Sequence, residues 1–368
     1  PKTGILSDES AFPDAPQYQI NLVFEPQGGI WLLAARNETQ PPELRHYAPG
    51  QLSRADKIIP FEANLNFFDP LMRGRDGRLY LVANNGRLIR FDPSSERFDY
   101  FSFAHLFGEK IKLVRAIALA EDADGVFWIG TQEGLVKAAP KNRRSEEQGG
   151  GFDFQLIVAN PNNPNGLNNN SIACIHPAPD GQIWLGTKGG GINILDARTG
   201  RVRHITTANG LLNNVVYGIL PGSRTGEFWC STNRGLAKIV AAPTAGGEAL
   251  VTTFTAALGL QDNEFNTYSY CRNDNGELLF GGINGLNRFF PDEFRADTVP
   301  PPVYVVDIRI NHQKSAIACP EHLQTLELAH DQSNLTFEFA ALDFTDPAKN
   351  RYRYRLVGLD ADWVELGN

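Results

Sequence analysis

The chain has 368 residues, with 34 Lys and Arg against 42 Asp and Glu, which gives a net charge of −8. Hydrophobic residues make up 42% and charged residues 21%, an ordinary globular composition that excludes disorder, collagen and a coiled coil. A net charge of −8 without a basic block argues against nucleic acid or an anionic lipid surface as partner, because both need clustered Lys and Arg.

No apolar run approaches the ~18–20 residues that a membrane-spanning helix needs. The first ten residues also lack the charged and then apolar pattern of a signal peptide. We therefore expect this segment to be soluble by itself. The 35 Gly and 23 Pro favour a fold rich in turns and strands.

A repeat organises the chain up to about residue 298. In each copy a Gly, usually within an Asp-Gly or Asn-Gly pair, is followed three positions later by a large apolar residue. The glycine anchors are Gly28, Gly77, Gly125, Gly181, Gly226 and Gly276, and the third position after them holds Trp31, Tyr80, Trp128, Trp184, Trp229 and Leu279. The anchors are 49, 48, 56, 45 and 50 residues apart.

Each copy has room for four short strands joined by tight turns, which is the pattern of a propeller blade. The sequence therefore predicts an all-β protein, a β-propeller with six visible blades that is either complete or an incomplete seven. The segment before residue 20 is expected to supply a closing strand or the remains of a seventh blade. We expect the aromatic residue of each copy to pack between adjacent blades, and residues 141–151 to form a solvated insertion.

A different pattern begins near residue 299, which divides the chain into domains 1–298 and 299–368. Leu335, Phe337 and Phe339 alternate with polar residues, as do the apolar residues of 351–356. Alternation with period two predicts strands with one buried face. About four strands fit, whereas an immunoglobulin-like sandwich needs about seven, so the tail is expected to be a partial immunoglobulin-like β-sandwich in which the chain ends.

These segments resemble a known family. DGQIWLGTKGGGINILDARTG and GEFWCSTNRGLAKI look like the two-component-regulator propeller repeat. The tail, from PPPVYVVDIRI through LTFEFAALDF to NRYRYRLVGLDADW, is similar to the first half of the three-Y domain. The family usually carries two seven-bladed propellers, so the six copies seen here depart from its pattern.

The resemblance implies the extracytoplasmic sensor region of a hybrid two-component system. It implies a periplasmic location, recognition of an oligosaccharide from polysaccharide breakdown, and signalling to a histidine kinase outside this chain. It further implies a homodimer in the full receptor and contact with the membrane only through segments absent from this sequence.

A second element recurs before three of the anchors: a Gly-Leu pair followed by Asn170, Asn214 or Asn263. In a four-stranded meander, the link into strand one and the turn between strands two and three lie at the same end of the sheet. That end is predicted to collect amides and cations around the channel opening, with two tyrosines on the inner strands. The predicted ligand-binding residues are Asn170, Lys188, Asn214, Asn233, Arg234, Asn263, Asn284, Tyr217 and Tyr268.

Groups that both donate and accept hydrogen bonds, next to aromatic rings, suit a polyhydroxylated ligand. The simpler interpretation is that the three Asn residues cap the turn through side-chain to backbone hydrogen bonds. The sequence leaves both interpretations open.

No motif of a hydrolase, metalloprotease, nucleotide-binding loop or dinucleotide-binding fold occurs, so we expect a non-enzyme without cofactor or metal. Asp122 and Asp124 faintly resemble part of a calcium loop, but a hairpin turn is favoured. Two alternative functions remain: a scaffold for protein–protein interaction, and a lyase that resembles streptogramin lyase.

The four cysteines, at 174, 230, 271 and 319, are far apart and show no metal-ligand spacing. We expect free structural thiols, with the first three as small buried residues of strands. A Cys230–Cys271 disulfide is the alternative.

Overall fold

A computed structural model describes residues 12–15, 18–35, 41–63, 65, 69–108, 113–141, 151–241, 247–293, 302–314, 325–342 and 352–366. The chain divides into two compact units, Pro1–Glu293 and Phe294–Asn368. The residues described in the first unit form six antiparallel sheets that follow one another along the chain, each a simple meander. The predicted all-β propeller of four-stranded blades is confirmed.

Blade one consists of β1 (Tyr18–Phe24), β2 (Ile30–Ala35), β3 (Glu43–Tyr47) and β4 (Lys57–Pro60). Blade two consists of β5 (Leu71–Arg73), β6 (Leu79–Ala83), β7 (Arg87–Asp92) and β8 (Arg97–Ser102). Blade three consists of β9 (Ala116–Glu121), β10 (Phe127–Thr131), β11 (Leu135–Pro140) and β12 (Phe152–Ile157).

Blade four consists of β13 (Ile172–Pro177), β14 (Gln182–Thr187), β15 (Ile192–Asp196) and β16 (Val202–Ile205). Blade five consists of β17 (Val216–Pro221), β18 (Glu227–Thr232), β19 (Gly235–Val240) and β20 (Leu250–Phe254). Blade six shows three strands among the described residues: β21 (Phe265–Arg272), β22 (Leu278–Gly282) and β23 (Gly285–Phe289). Single 3₁₀ turns occur at Ala104–Phe107, Thr207–Asn209, Ala256–Leu258 and Pro291–Glu293.

The six anchor glycines explain the regular spacing of the blades. Each lies in the turn between the first and second strands and has φ between 76° and 91°. This left-handed region is open to Gly but unfavourable for most residues with a side chain. The predicted turn chemistry is therefore confirmed, and in blades one to five the strand after the turn carries the large aromatic residue into the core.

We call the face of each sheet that carries this residue its forward face, because it packs against the following blade. The ring centroids of Trp31 and Phe91 are 5.3 Å apart, those of Trp184 and Phe228 are 3.9 Å apart, and those of Trp229 and Phe289 are 4.7 Å apart. In each pair the second ring belongs to the next blade. The predicted packing of these aromatic residues between blades is confirmed.

A carboxylate stabilises the polar edge of several of these aromatic residues. The indole N–H of Trp31 donates to Glu25 at 2.7 Å, and that of Trp128 donates to Asp122 at 2.7 Å. Asp122 also accepts from the backbone N–H groups of Asp124 and Val126. Asp122 therefore stabilises the hairpin turn between β9 and β10, which is the interpretation that the sequence favours over a calcium loop.

The first strands of the blades lie innermost. β9 contacts β13, β13 contacts β17, β17 contacts β21, and β1 contacts β5. β1 is thus the inner strand of blade one, paired with β2, and not a closing strand for another blade. The remainder of the segment before residue 20 is described only at residues 12–15, where Phe12 packs on Tyr47 of blade one with ring centroids 4.7 Å apart.

The forward face of blade six is open. Leu286 is 47% exposed, whereas Leu236, at the same position of blade five, is 1% exposed. Ile283 and Phe290 near it are also exposed. The described residues therefore place no further blade against blade six.

The predicted insertion 141–151 joins β11 to β12. The backbone N–H of Lys141 donates to the carbonyl of Gly151 at 2.9 Å, which closes the base of this loop. Residues 142–150 lie outside the described residues, so their predicted solvation stays a prediction.

Cys174, Cys230 and Cys271 are free thiols, so the alternative of a Cys230–Cys271 disulfide is wrong. Cys174 and Cys230 are buried, as expected, but Cys271 is exposed because it pairs with Leu279 on the open face of blade six. Cys319 lies outside the described residues.

The second unit contains a sheet of β24 (Val303–Ile310), β25 (Gln313–Lys314) and β26 (Leu335–Ala341), and a hairpin of β27 (Tyr352–Tyr354) and β28 (Val364–Leu366). The predicted strands are present, but the predicted buried face is not. Phe337 is 41% exposed, and Val357 and Leu359 are more exposed still. The boundary predicted at residue 298 lies in the stretch 294–301, outside the described residues, and stays a prediction.

In the part of the chain that the structure describes, no helix is long and apolar enough to cross a membrane.

Candidate functional site

The links into the first strands and the turns between the second and third strands lie at one end of the blades, which we call the mouth. The turns share one geometry: the hydroxyl groups of Thr131, Thr187 and Thr232 each donate to a glycine carbonyl three or four residues later, at 2.8 Å. This bond buries the threonine and projects the turn residues outward. The antiparallel order of the strands places all these turns at the same end, as predicted.

The three predicted Asn residues of the Gly-Leu motif have a clear structural role. The side-chain oxygens of Asn170, Asn214 and Asn263 accept backbone N–H groups of the preceding link at 2.6, 2.9 and 2.8 Å. The backbone carbonyls of Asn214 and Asn263 also accept from Gly191 and Gly235 of the previous blade, at 2.8 and 2.5 Å. These residues therefore stabilise blade junctions at the mouth, which confirms the simpler interpretation; a role in ligand binding stays a prediction.

Two predicted cationic residues are exposed at the mouth. Lys188 lies in the turn of blade four, where its backbone N–H donates to the carbonyl of Ser171 at 2.9 Å. Arg234 lies in the turn of blade five, with its backbone N–H bonded to the hydroxyl of Thr232 at 3.0 Å. The backbone of each is fixed while its side chain extends into solvent.

Two sets of hydrogen-bonded side chains lie at the mouth, one in blade five and one in blade six. The hydroxyl of Tyr217 donates to the side-chain oxygen of Asn233 at 2.7 Å. The Asn284 amide donates to Asp262 at 2.7 Å, and the backbone N–H of Asn284 donates to Gln261 at 2.7 Å. The structure thus brings Tyr217 together with Asn233 and joins Asn284 to a carboxylate.

The carboxylate of Glu264 adds negative charge to these side chains. Burial, and then the charge of Glu264, raise the pKa of the Tyr217 hydroxyl above its ordinary value. Tyr217 therefore stays protonated and donates a hydrogen bond at neutral pH. We call Tyr217, Asn233, Gln261, Asp262, Glu264 and Asn284 the mouth cluster.

Tyr217 reaches the mouth because the inner strand bulges at this residue. Val216 pairs with Thr232 and Gly218 with Ser231, so Tyr217 is an extra residue without a partner in β18. The same one-residue shift occurs in β1, β9 and β13. Bulges of this kind redirect side chains and are frequent next to functional sites.

Blade six has a larger irregularity. Phe265 pairs with Gly282, but the next pair is Tyr270 with Phe280, so residues 266–269 stand opposite Gly281 alone. Tyr268, in this segment, has φ 65°, a left-handed conformation that is unfavourable for a bulky side chain. Burial, and then the negative charge of Asp69, raise the pKa of Tyr268.

Sequence reasoning missed Gln261, Asp262 and Glu264. All three flank Asn263 in the segment GLQDNE, so their position beside the motif was a usable signal. It also missed Asp69, which is 1% exposed and lies immediately before blade two. No local pattern marks Asp69, since it reaches the channel only through the arrangement of the blades.

Within the described ranges, no group of three or more His, Cys, Asp or Glu side chains could hold a metal ion. His176 on β13 packs edge-on against Phe228 with ring centroids 5.6 Å apart. Burial, and then the charge of Arg272, lower its pKa to about 4.

A separate cavity of about 370 Å³ lies between the outer strands of blades four and five. Trp184, Arg203, His204 and Glu248 contribute to its wall. None of the predicted site residues lines it, so we do not assign the site to it.

Residues 166–189 match the sequence model of the family described as Two component regulator propeller. The matched segment contains the Gly-Leu motif, the anchor Gly181 and the turn at Thr187 of blade four. It therefore covers the elements from which the repeat was recognised.

A curated protein, Histidine kinase P4 of Formosa agariphila, is 27% identical to this chain over 265 residues. The alignment covers 69% of this chain and 18% of the kinase. The chain thus spans about a fifth of the length of the curated relative it matches.

Two solved structures share the fold. The extracellular domain assigned to the hybrid two component system BT3049 of B. thetaiotaomicron has a TM-score of 0.51 and 19% identity, over 98% of this chain and 51% of that one. A catalytically inactive virginiamycin B lyase from Staphylococcus aureus, with quinupristin, has a TM-score of 0.50 and 12% identity, over 75% of this chain and 85% of that one. At these identities the likeness shows the fold alone.

The chain is therefore a β-propeller in which residues 166–189 match the two-component regulator propeller repeat, and its fold is that seen in the extracellular domain of a hybrid two-component system.

Proposed function

We propose that this chain is the ligand-sensing part of an extracytoplasmic, periplasmic two-component receptor. The family repeat, the histidine kinase relative and the likeness to an extracellular domain support this proposal. The signal would pass to a histidine kinase outside the sequence, and the receptor would act as a homodimer.

The ligand is an oligosaccharide bound at the mouth. The mouth cluster supports this assignment, because its two hydrogen-bonded sets combine a tyrosine hydroxyl, amides and a carboxylate at the mouth. Such groups present both donors and acceptors, as sugar hydroxyls require. The exposed cations Lys188 and Arg234 add donors at the rim.

The function is binding without turnover. The observation that carries the proposal is a pair of contacts at the mouth, in which Tyr217 bonds Asn233 within blade five and Asn284 bonds Asp262 within blade six. These contacts hold the polar groups at fixed positions before the ligand arrives, which lowers the entropic cost of binding.

A thermal-shift screen with neutral oligosaccharides tests this function. A ligand at 100 times its Kd should add about 2.7 kcal/mol to the free energy of unfolding. Asn233→Ala and Glu264→Gln should weaken binding at least tenfold while the chain remains folded. Arg201→Ala is the matched control, because Arg201 is exposed in the turn between β15 and β16, at the opposite end of the blade.

Two results would remove the proposal. A saccharide that binds wild type and both mouth variants equally would place the site elsewhere. Measurable release of a product from the bound saccharide would make the chain an enzyme.

A further inference from the structure

The mouth turns of blades four and five carry two cations whose charges the described residues leave uncompensated. Lys188 and Arg234 are exposed, and neither has an ion-pair partner in the part of the chain that the structure describes. Lys238, on the third strand of blade five, instead pairs with Glu227 at 3.1 Å. Free cations at one end of the blades stand out in a chain in which 42 acidic residues face 34 basic ones.

Backbone contacts hold these two turns next to one another. Lys188 forms an antiparallel bridge with Val215, in the link that enters β17. The backbone N–H of Asn233 donates to the carbonyl of the same Val215 at 3.2 Å. Val215 therefore lies between the two turns. Because neighbouring strands lie about 4.8 Å apart, the backbones of Lys188 and Asn233 are about 10 Å apart.

The two cations can serve one bound group. Arg234 follows Asn233 directly, so two long side chains start on either side of Val215, which is itself partly exposed and uncharged. A guanidinium binds the paired oxygens of an anionic group through two parallel N–H donors, and a lysine ammonium adds a point charge. The junction of blades four and five therefore has the donors of an anion subsite.

The next junction along the mouth has the opposite charge. There the backbone N–H of Gly235 donates to the carbonyl of Asn263 at 2.5 Å, and that of Ile283 donates to the carbonyl of Glu264 at 3.3 Å. Glu264 thus takes in blade six the place that Val215 has in blade five, and it brings a carboxylate. A carboxylate accepts hydrogen bonds from hydroxyl groups and repels an anion. The two junctions therefore favour different parts of one ligand.

We propose that the ligand is an anionic saccharide, whose carboxylate or sulfate ester binds to Lys188 and Arg234. The hydroxyls of the adjoining sugar unit bond to Tyr217, Asn233 and Glu264, which lie further along the mouth towards blade six. The charge fixes the direction in which the saccharide lies, and a neutral saccharide of the same backbone binds more weakly through its hydroxyls alone. This inference rests on the proposed function, because it specifies the chemical class of that ligand.

Calorimetric titration of the wild-type chain tests the class with pairs of saccharides that differ chiefly in charge. Tetrasaccharides of galacturonate, mannuronate and guluronate are each compared with their methyl esters, and a sulfated galactan tetrasaccharide is compared with its desulfated form. At least one anionic form should bind at least tenfold more tightly than its neutral counterpart, and the pair that shows this preference distinguishes carboxylate from sulfate. The preference should shrink in high salt, which screens the attraction.

Substitution of the two cations tests where the charge is bound. Lys188→Gln and Arg234→Gln should each reduce the preference for the anionic form at least threefold, because glutamine keeps a polar side chain but not the charge. The double variant should lose the preference. Arg234→Lys keeps the charge and should retain most of it. Arg201→Gln is the matched control and should retain it in full, because Arg201 is exposed at the opposite end of blade four.

The outcomes distinguish the two proposals. If no saccharide, neutral or anionic, binds wild type, the proposed function and the anion subsite both fail. If neutral saccharides bind at least as tightly as their anionic forms, the proposed function stands and the anionic class is wrong. If an anionic form is preferred but the double variant keeps that preference, the charge is bound elsewhere and the subsite alone is contradicted.

Discussion

Blades five and six are built from the same repeat, yet their forward faces differ. In blade five, Trp229 and Leu236 are buried against blade six. In blade six, Leu279 replaces the aromatic residue, and Leu286 is 47% exposed. The same strand pattern therefore gives a sealed face where another blade packs against it and an open face where no described residue does. Burial cannot be inferred from the pattern alone.

The outer edge of blade six differs as well. In blade five, a Cβ atom at Gly235 would lie 2.1 Å from the carbonyl oxygen of Phe254 on the fourth strand. At Gly285, the same position of blade six, no described residue lies within 4 Å of such an atom. The described part of blade six lacks a fourth strand beside β23, so the same glycine is sterically required in one blade and not in the other.

The largest expected difference is between the costs of alanine substitution at two leucines, Leu236 of blade five and Leu286 of blade six. Leu236→Ala should lower the free energy of unfolding by about 2–5 kcal/mol, because it removes buried methyl groups and leaves a cavity. Leu286→Ala should cost less than about 1 kcal/mol, since that side chain is already half exposed. Urea unfolding followed by circular dichroism measures both. Equal costs would mean that the face of blade six is covered in solution.

Alanine substitutions at Gly235 and Gly285 should also differ in the free energy of unfolding that they cost. The difference should have the same direction as for the two leucines but be smaller. Both have positive φ, 103° at Gly235 and 125° at Gly285, so alanine costs about 1 kcal/mol at either position through its backbone. Gly235→Ala must also displace the fourth strand, which should raise its cost to about 2–3 kcal/mol. Thermal unfolding of the two variants is the measurement, and a larger loss for Gly285→Ala would contradict the open edge.

The stability of the protein should depend on pH through a histidine in the covered interface between blades four and five. The pKa of His176 is lowered to about 4 by burial in the interface of blades four and five, against an ordinary value of 6.5. The unfolded chain therefore takes up a proton between pH 6.5 and 4 while the folded chain does not. This group's contribution to stability is fully present above pH 6.5 and is lost as the pH falls towards 4.

The loss should reach up to about 2 kcal/mol, less than the full shift would give because the ring retains some solvent contact. Urea midpoints measured between pH 4 and 7 provide the test. His176→Gln is the control and should flatten this part of the profile. An unchanged profile in that variant would assign the effect to other groups.

The smallest effect concerns thiol reactivity. Cys271 occupies on the inner strand of blade six the position that His176 occupies in blade four, and it is exposed. Burial raises the pKa of the Cys174 thiol to about 12 and that of Cys230 well above its ordinary value. Iodoacetamide labelling with peptide mapping should modify Cys271 in the native chain and spare the other two. Equal labelling of Cys230 would contradict the sealed interface.

Much of the fold could be predicted from the sequence because the repeat encodes local turn geometry. The six anchor glycines permit the positive φ that each turn requires. The aromatic residue three positions later then packs towards the next blade. Trp31, Trp184 and Trp229 show this directly through their ring contacts. Local chemistry of this kind repeats in the sequence wherever it repeats in the structure.

The site was less accessible to sequence reasoning. Asn214 and Asn263 were visible through their motif, but their side chains bond the backbone of the links. The large bulge of β21 depends on register with β22 and leaves no local signal. The prediction of a buried face on β26 is wrong at Phe337, which is exposed. Alternation predicts which residues share a face of a strand, but it does not predict which element covers that face.

Hydrogen exchange with mass spectrometry, with and without the oligosaccharide that stabilises the chain most in the thermal-shift screen, tests the central claim most directly. Binding at the mouth should slow exchange in 261–270 and 283–285 and in the turns near Lys188 and Asn233, with the Asp-Gly ends of the blades unchanged. Protection confined to the opposite end of the blades, or to the cavity beside Trp184, would contradict a ligand site at the mouth.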